Sequence, residues 1–229
     1  MNNDKQLKQD ALKLIAKADE YNWLHQTTWF GEPIINLPQD MFALQEIIFD
    51  VQPDFIIETG IARGGSLIFY ASLLELISQT GKNKKAKVLG IDIEIRKNNL
   101  RYIKEHPMFK RINLIEGPST NKKIYEKVYK FSKKFKKIMV FLDSNHTGKH
   151  VFDELEIYAK LVTKNSYCIV FDTIIEDLPE GPERPWGKQN SPMSAAREFL
   201  KENDMFEIDS QITNKLLITV ARNGYLRRR

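Results

Sequence analysis

Residues 55–66, FIIETGIARGGS, decide the fold of this chain. Three apolar residues are followed at once by a polar residue and by a turn with glycines at positions 60, 64 and 65. Such a short apolar run is typical of a strand buried on both faces, and the glycines allow a tight turn. Ser66 is then expected to cap the next helix. The segment therefore predicts a strand, a turn and a helix in succession.

The same alternation continues along the rest of the chain. Apolar runs at residues 88–91, 112–115, 138–142 and 167–171 are separated by helical patterns near residues 66–78, 98–105, 121–134 and 148–162. Continuous apolar strands that alternate with helices indicate a parallel sheet with helices on both faces. Two further runs, at residues 206–208 and 216–220, lie close together and predict an antiparallel hairpin. We expect an α/β fold with a doubly wound, mostly parallel, seven-stranded sheet of the Rossmann-like type.

The N-terminal part of the chain has a different pattern. Residues 4–20 have apolar positions at helical spacing, and Pro38 begins a second helical pattern after a loop rich in aromatic and proline residues. We therefore divide the chain into an N-terminal helical extension at residues 1–50 and one α/β domain at residues 51–229. The aromatic loop is expected either to cover an active site or to form an interface between copies of the chain in a homo-oligomer.

Composition excludes several classes of protein. The 229 residues are 42% hydrophobic and 28% charged, which is ordinary for a globular domain and unlike a disordered chain. Cys168 is the single cysteine, so a disulfide framework and a multi-cysteine zinc site are both excluded. The first residues are not those of a signal peptide, and no apolar run is long enough to span a membrane. We expect a cytoplasmic protein without a transmembrane segment.

Lysine clusters at residues 82–87 and 122–137 contribute to a net charge of +5. Such clusters are compatible with a nucleic-acid or anionic-surface binding module that has no catalytic activity. A solvated helix face is the favoured interpretation, because no nucleic-acid-binding motif accompanies the lysines. We therefore expect no nucleic-acid partner.

The predicted cofactor site lies where the first three strands of the sheet end, since open parallel sheets bind ligands at their carboxyl edge. The first turn is not a dinucleotide fingerprint, because Ala62 stands where a glycine is required, and it is not a P-loop. Asp92, 32 residues after Gly60, is placed to accept the ribose hydroxyls of a nucleoside. Glu116 and Ser119, after the third strand, are placed at the adenine edge. Without a phosphate-binding loop, S-adenosylmethionine is favoured over NAD.

The predicted reaction site follows the next two strands. Asp143 and Asp172 end neighbouring parallel strands, where two carboxylates repel each other unless a cation lies between them. Oxygen ligands favour Mg²⁺, and His146 is a natural general base for a substrate hydroxyl. The alternatives are that Asp143 caps a helix and that Asp172 is an ordinary loop acid.

Several of these stretches together resemble the cephalosporin hydroxylase/rhamnosyl O-methyltransferase family of class I methyltransferases. They are residues 58–66 (ETGIARGGS), 90–96 (GIDIEIR), 142–146 (LDSNH), 171–179 (FDTIIEDLP), 184–187 (RPWG) and 214–227 (NKLLITVARNGYLR). The resemblance implies an S-adenosylmethionine-dependent O-methyltransferase that uses a divalent metal. Its acceptor would be a hydroxyl of a sugar, such as one in a surface polysaccharide, or of a glycosylated natural product.

The resemblance also assigns roles to individual residues. The methionine-side turn is formed by Gly60, Gly64 and Ser66, with Glu58 near the cofactor's amino group and Asp92 on the ribose.

In the reaction site the resemblance makes Asp143 and Asp172 metal ligands and His146 the base. Thr173 departs from the pattern of metal-dependent relatives, so Glu176, Asp177 or a water would supply the third ligand. A hydroxylase is the alternative activity, although no pair of histidines joins a carboxylate as in non-haem iron sites. Residues 173–192, which are rich in proline, would form either a lid or a rigid loop at this edge.

Overall fold

A computed structural model describes residues 3–179 and 184–229 of the chain. The helices are α1 (Lys5–Asp19), α2 (Pro38–Val51), α3 (Gly65–Gln79), α4 (Lys97–Glu105), α5 (Lys122–Ser132), α6 (Gly148–Tyr158), α7 (Pro192–Glu202) and α8 (Ser210–Leu216). The strands are β1 (Thr28–Trp29), β2 (Glu32–Pro33), β3 (Phe55–Thr59), β4 (Lys87–Asp92), β5 (Ile112–Glu116), β6 (Ile138–Leu142), β7 (Tyr167–Val170), β8 (Phe206–Ile208) and β9 (Tyr225–Arg228). Short 3-10 helices cover Trp23–His25, Pro107–Arg111, Ala159–Leu161 and Thr173–Asp177.

The main sheet has seven strands in the order β5-β4-β3-β6-β7-β9-β8. The five strands from β5 to β7 are parallel, and β9 is antiparallel to both β7 and β8. The predicted doubly wound, mostly parallel fold is therefore confirmed, together with an antiparallel pair at the C-terminus. The strand order reverses between β3 and β6, which is where such sheets form a ligand crevice at their carboxyl edge.

The position of the last strand was predicted wrongly. Residues 216–220 end α8 and form a turn, and the strand that pairs with β8 is β9. The buried carboxylate of Asp40 accepts hydrogen bonds from the Thr219 hydroxyl, the Val220 amide and the Tyr225 hydroxyl. Val220 is buried at this anchorage to α2 without pairing in a sheet, and Leu216, Leu217 and Ile218 are half-buried.

The cap of α3 also differs from the prediction. Gly64 is the N-cap residue, with φ of +91°, a left-handed conformation that glycine adopts without a steric penalty. Ser66 lies within the first turn of the helix, and its hydroxyl donates to the Glu58 carboxylate at 2.8 Å. Ser66 therefore fixes a buried acid instead of capping the helix.

The N-terminal segment packs on the same apolar cluster as the sheet. Ile15, Ile34 and Leu44 are buried in the cluster that contains Ile56 and Val88. The division of the chain after residue 50 stays a prediction. Throughout residues 3–179 and 184–229, no helix combines the length and the apolar character required to cross a membrane.

Candidate active site

The turn after β3 packs closely against the segment that follows β6. A side chain on Gly60, whose φ is +80°, would place its Cβ 2.0 Å from the backbone oxygen of Asp143. The Asp143 amide donates to the Thr59 carbonyl at 2.9 Å. The close approach that Gly60 allows is thus to the protein's own backbone, and it places the turn and Asp143 side by side.

Asp92 holds this turn from the other side. Its Oδ2 accepts from the Ile61 amide at 2.9 Å and its Oδ1 accepts from the Glu94 amide at 3.2 Å. Glu116, paired with Asp92 across β4 and β5, accepts from the Ile95 amide at 3.0 Å. Asp92 is only half-buried, so its oxygens keep lone pairs that a ligand hydroxyl can reach.

Glu58 lies completely buried beneath the turn. Its Oε2 accepts from Ser66, whereas its Oε1 has no hydrogen-bond partner in the described part of the chain. Burial raises the pKa of Glu58 to about 8. Glu58 is therefore held largely as the neutral acid at pH 7.

Asp143, His146 and Asp172 meet at the ends of β6 and β7. Each offers one ligand atom, and these atoms all lie within 4.8 Å of one another. His146 Nδ1 is 3.2 Å from Asp172 Oδ2. Burial, together with the nearby charge of Asp172, raises the pKa of Asp143 well above the usual range for an aspartate. A bound cation would offset this cost, so two carboxylates and an imidazole fit a divalent metal ion.

The neighbouring polar residues have other partners. The Thr173 hydroxyl donates to the Arg222 carbonyl at 2.7 Å. Glu176 Oε2 accepts from the Ser191 hydroxyl at 2.5 Å and from the Gln189 amide at 3.0 Å, and Asp177 forms an ion pair with Arg222. The structure does not bring Glu176 or Asp177, two of the three expected sources of the third ligand, into the three-residue cluster. The third member of this cluster is His146.

A cavity of about 370 Å³ opens onto this cluster. Its sheet side is formed by the turn at residues 60–66 and by Asp143, His146 and Asp172. Its opposite wall comes from the N-terminal segment and from the chain after β7, through Asp19, Trp23, His25, Pro33, Asn36, Ile175, Leu178, Arg184 and Trp186. The residues that line it do not include Glu58, Asp92, Glu116 or Ser119.

Sequence reasoning identified two segments that form much of this wall, but it named none of the wall's residues as site residues. His25, in the aromatic loop, lines the cavity. Trp186 contacts His146 edge to face, with ring centroids 5.0 Å apart, and Arg184 Nη2 is 3.3 Å from Asp19 Oδ2. The aromatic and proline-rich loop after the first helix was the available signal, since covering the site was one of its two expected roles.

The proline-rich stretch at residues 173–192 contributes to the cavity through its described parts. Residues 180–183, which include Gly181 and Pro182, lie outside the described residues. The choice between a lid and a rigid loop stays a prediction.

The chain is similar in sequence and in fold to several known methyltransferases. A family model described as rhamnosyl O-methyltransferase/CmcI matches residues 21–229. The rhamnosyl O-methyltransferase of Mycobacterium leprae (strain TN) is 31% identical over 220 residues, covering 93% of this chain and 90% of that protein. Among solved structures, CmcI-D160 with Mg and SAM superposes with a TM-score of 0.61 at 17% identity, covering 90% of this chain and 77% of that one. The Bacillus cereus O-methyltransferase in complex with SAH superposes with a TM-score of 0.53 at 14% identity, covering 89% and 82%.

Proposed function

Because this chain belongs to the rhamnosyl O-methyltransferase/CmcI family, we propose that it transfers a methyl group from S-adenosylmethionine to a sugar hydroxyl with the help of a divalent cation. The observation that carries the proposal is the cluster of Asp143, His146 and Asp172, which faces the same cavity as the turn after β3.

The cofactor would lie along the carboxyl ends of β3, β4 and β5. Gly60, Gly64 and Ser66 belong to the turn on its methionine side, and Asp92 would accept the ribose hydroxyls with the lone pairs that its two backbone bonds leave free. Glu116 and Ser119 would flank the base. The name of a CmcI structure with Mg and SAM supports the choice of cofactor.

Asp143 and Asp172 would hold the cation, and Mg²⁺ is favoured because it is bound through one or two carboxylates and retains several waters. When bound, the cation supplies positive charge that lowers the pKa of an acceptor hydroxyl. Glu176 has no place in this arrangement, since its carboxylate is held by Ser191 and Gln189.

His146 would remove the proton from the acceptor hydroxyl. Its Nδ1 faces the Asp172 carboxylate at 3.2 Å, which favours the tautomer with a proton on Nδ1 and leaves Nε2 free to accept. Trp186 packs edge to face against this imidazole, with ring centroids 5.0 Å apart, which limits the rotation of the imidazole. The remaining contribution of the chain is to align the acceptor oxygen with the methyl carbon and sulfur.

The opposite wall of the cavity carries side chains that can bind a sugar. Trp23 and Trp186 provide flat apolar surfaces, and the pair of Asp19 and Arg184 provides an acceptor and donors for hydroxyl groups. Sugar methylation is also what the name of the Mycobacterium leprae relative describes. The hydroxylase alternative is less well supported, because the cluster in the described residues contains one histidine instead of two.

The test is methyl transfer from isotopically labelled S-adenosylmethionine to methyl α-L-rhamnopyranoside in the presence of Mg²⁺. His146→Ala is expected to lower turnover about 100-fold or more, while the Kd for S-adenosylhomocysteine changes less than twofold. His106→Asn is the matched control, because His106 serves as a helix cap that asparagine can replace. Turnover by His146→Ala equal to that of the control would remove His146 from the mechanism.

Tryptophan fluorescence offers a separate test of whether the acceptor binds at the opposite wall of the cavity. Two of the three tryptophans line the cavity, and the third, Trp29, packs on Phe69 and donates to Ser72. In a Trp29→Phe background, the rhamnoside is expected to change the emission of Trp23 and Trp186. Unchanged emission at a glycoside concentration that supports turnover would place the acceptor elsewhere.

A further inference from the structure

A polar cluster of two buried and two half-buried residues lies behind the cation site and connects two turns at the edge of the sheet. It consists of Ser119 after β5, Ser144 directly after Asp143, and His150 and Glu154 on α6. Ser144 Oγ donates to Glu154 Oε1 at 2.7 Å. His150 Nε2 is 3.1 Å from Ser144 Oγ, 3.3 Å from Ser119 Oγ and 3.4 Å from Glu154 Oε1.

The donors and acceptors of this cluster allow one consistent arrangement. The Ser144 proton is directed to Glu154, so Ser144 Oγ accepts in its turn from His150. The imidazole therefore carries its proton on Nε2, where it is close to oxygens of Ser119, Ser144 and Glu154. Tyr158, one turn further along α6, donates to the Ser119 carbonyl at 2.6 Å. One helix thus contacts the turns that follow both β5 and β6.

Glu154 is unusual for a residue with a purely structural role. It is completely buried, and its Oε2 has no hydrogen-bond partner within residues 3–179 and 184–229. A buried carboxylate with an unpartnered oxygen costs stability, and apolar residues of similar volume often replace buried charges without loss. The connection between α6 and the turns could therefore be made at a lower cost by an apolar contact.

We propose that His150 and Glu154 are positioning residues that hold Ser119 and Asp143 at a fixed separation across the active site. The inference rests on the proposed function, in which Ser119 flanks the cofactor and Asp143 holds the cation. Ser144 connects the hydrogen-bond network to the cation site because it directly follows Asp143 in the chain. The geometry of α6 therefore couples the binding of both ligands to one hydrogen-bond network.

The test compares variants that break the network with variants that preserve it. Glu154→Leu and His150→Leu are expected to weaken binding of S-adenosylhomocysteine and of Mn²⁺ by about 10- to 100-fold, as is usual when a residue that orients a ligand-binding group is lost. Glu154→Gln keeps an acceptor for Ser144, and His150→Gln keeps a donor, so both are expected to stay within about threefold of the wild type. Asp153→Asn, an exposed change on the same helix, is the control.

Titration calorimetry gives both dissociation constants, and thermal unfolding reports the fold. A purely structural role predicts a change in Tm with unchanged dissociation constants, and that result would overturn the inference. His150 is partly exposed, so the dissociation constants of His150→Leu decide the question if Glu154→Leu fails to fold. A wild-type protein that binds neither probe would overturn the proposed function as well, whereas equal binding by wild type and leucine variants would overturn this inference alone.

Discussion

Gly60→Ala is the substitution that tests most directly how the turn and the cation cluster depend on each other. The added Cβ would lie 2.0 Å from the Asp143 backbone oxygen and 2.6 Å from the Ser144 Cα. Atoms in these positions are backbone atoms, so no side-chain rotation can relieve the overlap. The turn and the segment after β6 must move apart.

The size of the effect follows from two contributions. Alanine at a φ of +80° costs about 1–2 kcal/mol in backbone conformation alone. Restoring an ordinary contact of 3.4 Å requires a shift of about 1.4 Å, which disrupts the bond from the Asp143 amide to Thr59 at a further cost of about 1 kcal/mol. Since a displacement of about 1 Å at a reacting group costs about 100-fold in rate, we expect a comparable loss of turnover.

Gly81→Ala is a matched control, because Gly81 has a φ of +87° and no atom within 4 Å of an added Cβ. Urea unfolding is expected to show a loss of about 1–2 kcal/mol for Gly81→Ala and at least about 1 kcal/mol more for Gly60→Ala. Calorimetry should show weaker Mn²⁺ binding for Gly60→Ala only. Equal unfolding free energies and equal Mn²⁺ affinities in the two variants would refute the reasoning.

Two further predictions concern buried acids. Burial raises the pKa of Glu58 from 4.5 to about 8. Between these pH values the folded chain keeps a proton on Glu58 that the unfolded chain has released. The stability that this protonated carboxyl contributes is therefore lost as the pH rises towards 8. Between pH 5 and pH 8.5, the unfolding free energy of the wild type, measured in urea, should fall by a few kcal/mol relative to that of Glu58→Gln. The exposed control Glu126→Gln should follow the wild type. Parallel pH profiles for all three proteins would contradict the assignment. Asp40→Ala removes the acceptor of three buried hydrogen bonds and should lower the unfolding free energy by about 2–4 kcal/mol. The exposed control Asp50→Ala should lower it by less than about 0.5 kcal/mol. The midpoint of thermal unfolding is the measurement for both variants.

The parallel part of the fold was predictable because its signals are local. Each of the five parallel strands is a short apolar run, and a parallel sheet brings the residues after such runs to one edge. Asp143 and Asp172 could therefore be paired from sequence alone. Residues 216–220 were misjudged because their position depends on Asp40, which is distant in the sequence. Ser66 was misjudged because Gly64 caps the helix, and the Ser66 hydroxyl donates to Glu58 within the same local segment.

The two segments of the opposite wall were identified, but local patterns could not show that they meet across one cavity. Trp23 and Trp186 are separated by most of the chain, and neither lies in a periodic segment. The helix α7 was also not predicted, although Ser191 and Ser194 cap it reciprocally and Pro192 occupies its first turn. Its start follows directly on the proline-rich stretch, which was interpreted as one continuous loop.

Thr173 does not belong to the cluster of Asp143, His146 and Asp172. The residue follows Asp172, and its hydroxyl is turned away to the carbonyl of Arg222, in the segment that Asp40 anchors to α2. The third member of the cluster is His146, which follows β6. Since Nδ1 of this histidine faces Asp172, a base acting through Nε2 leaves two carboxylates for the cation. In the proposed mechanism, waters must complete the coordination, and Mg²⁺ is the cation that most readily retains them.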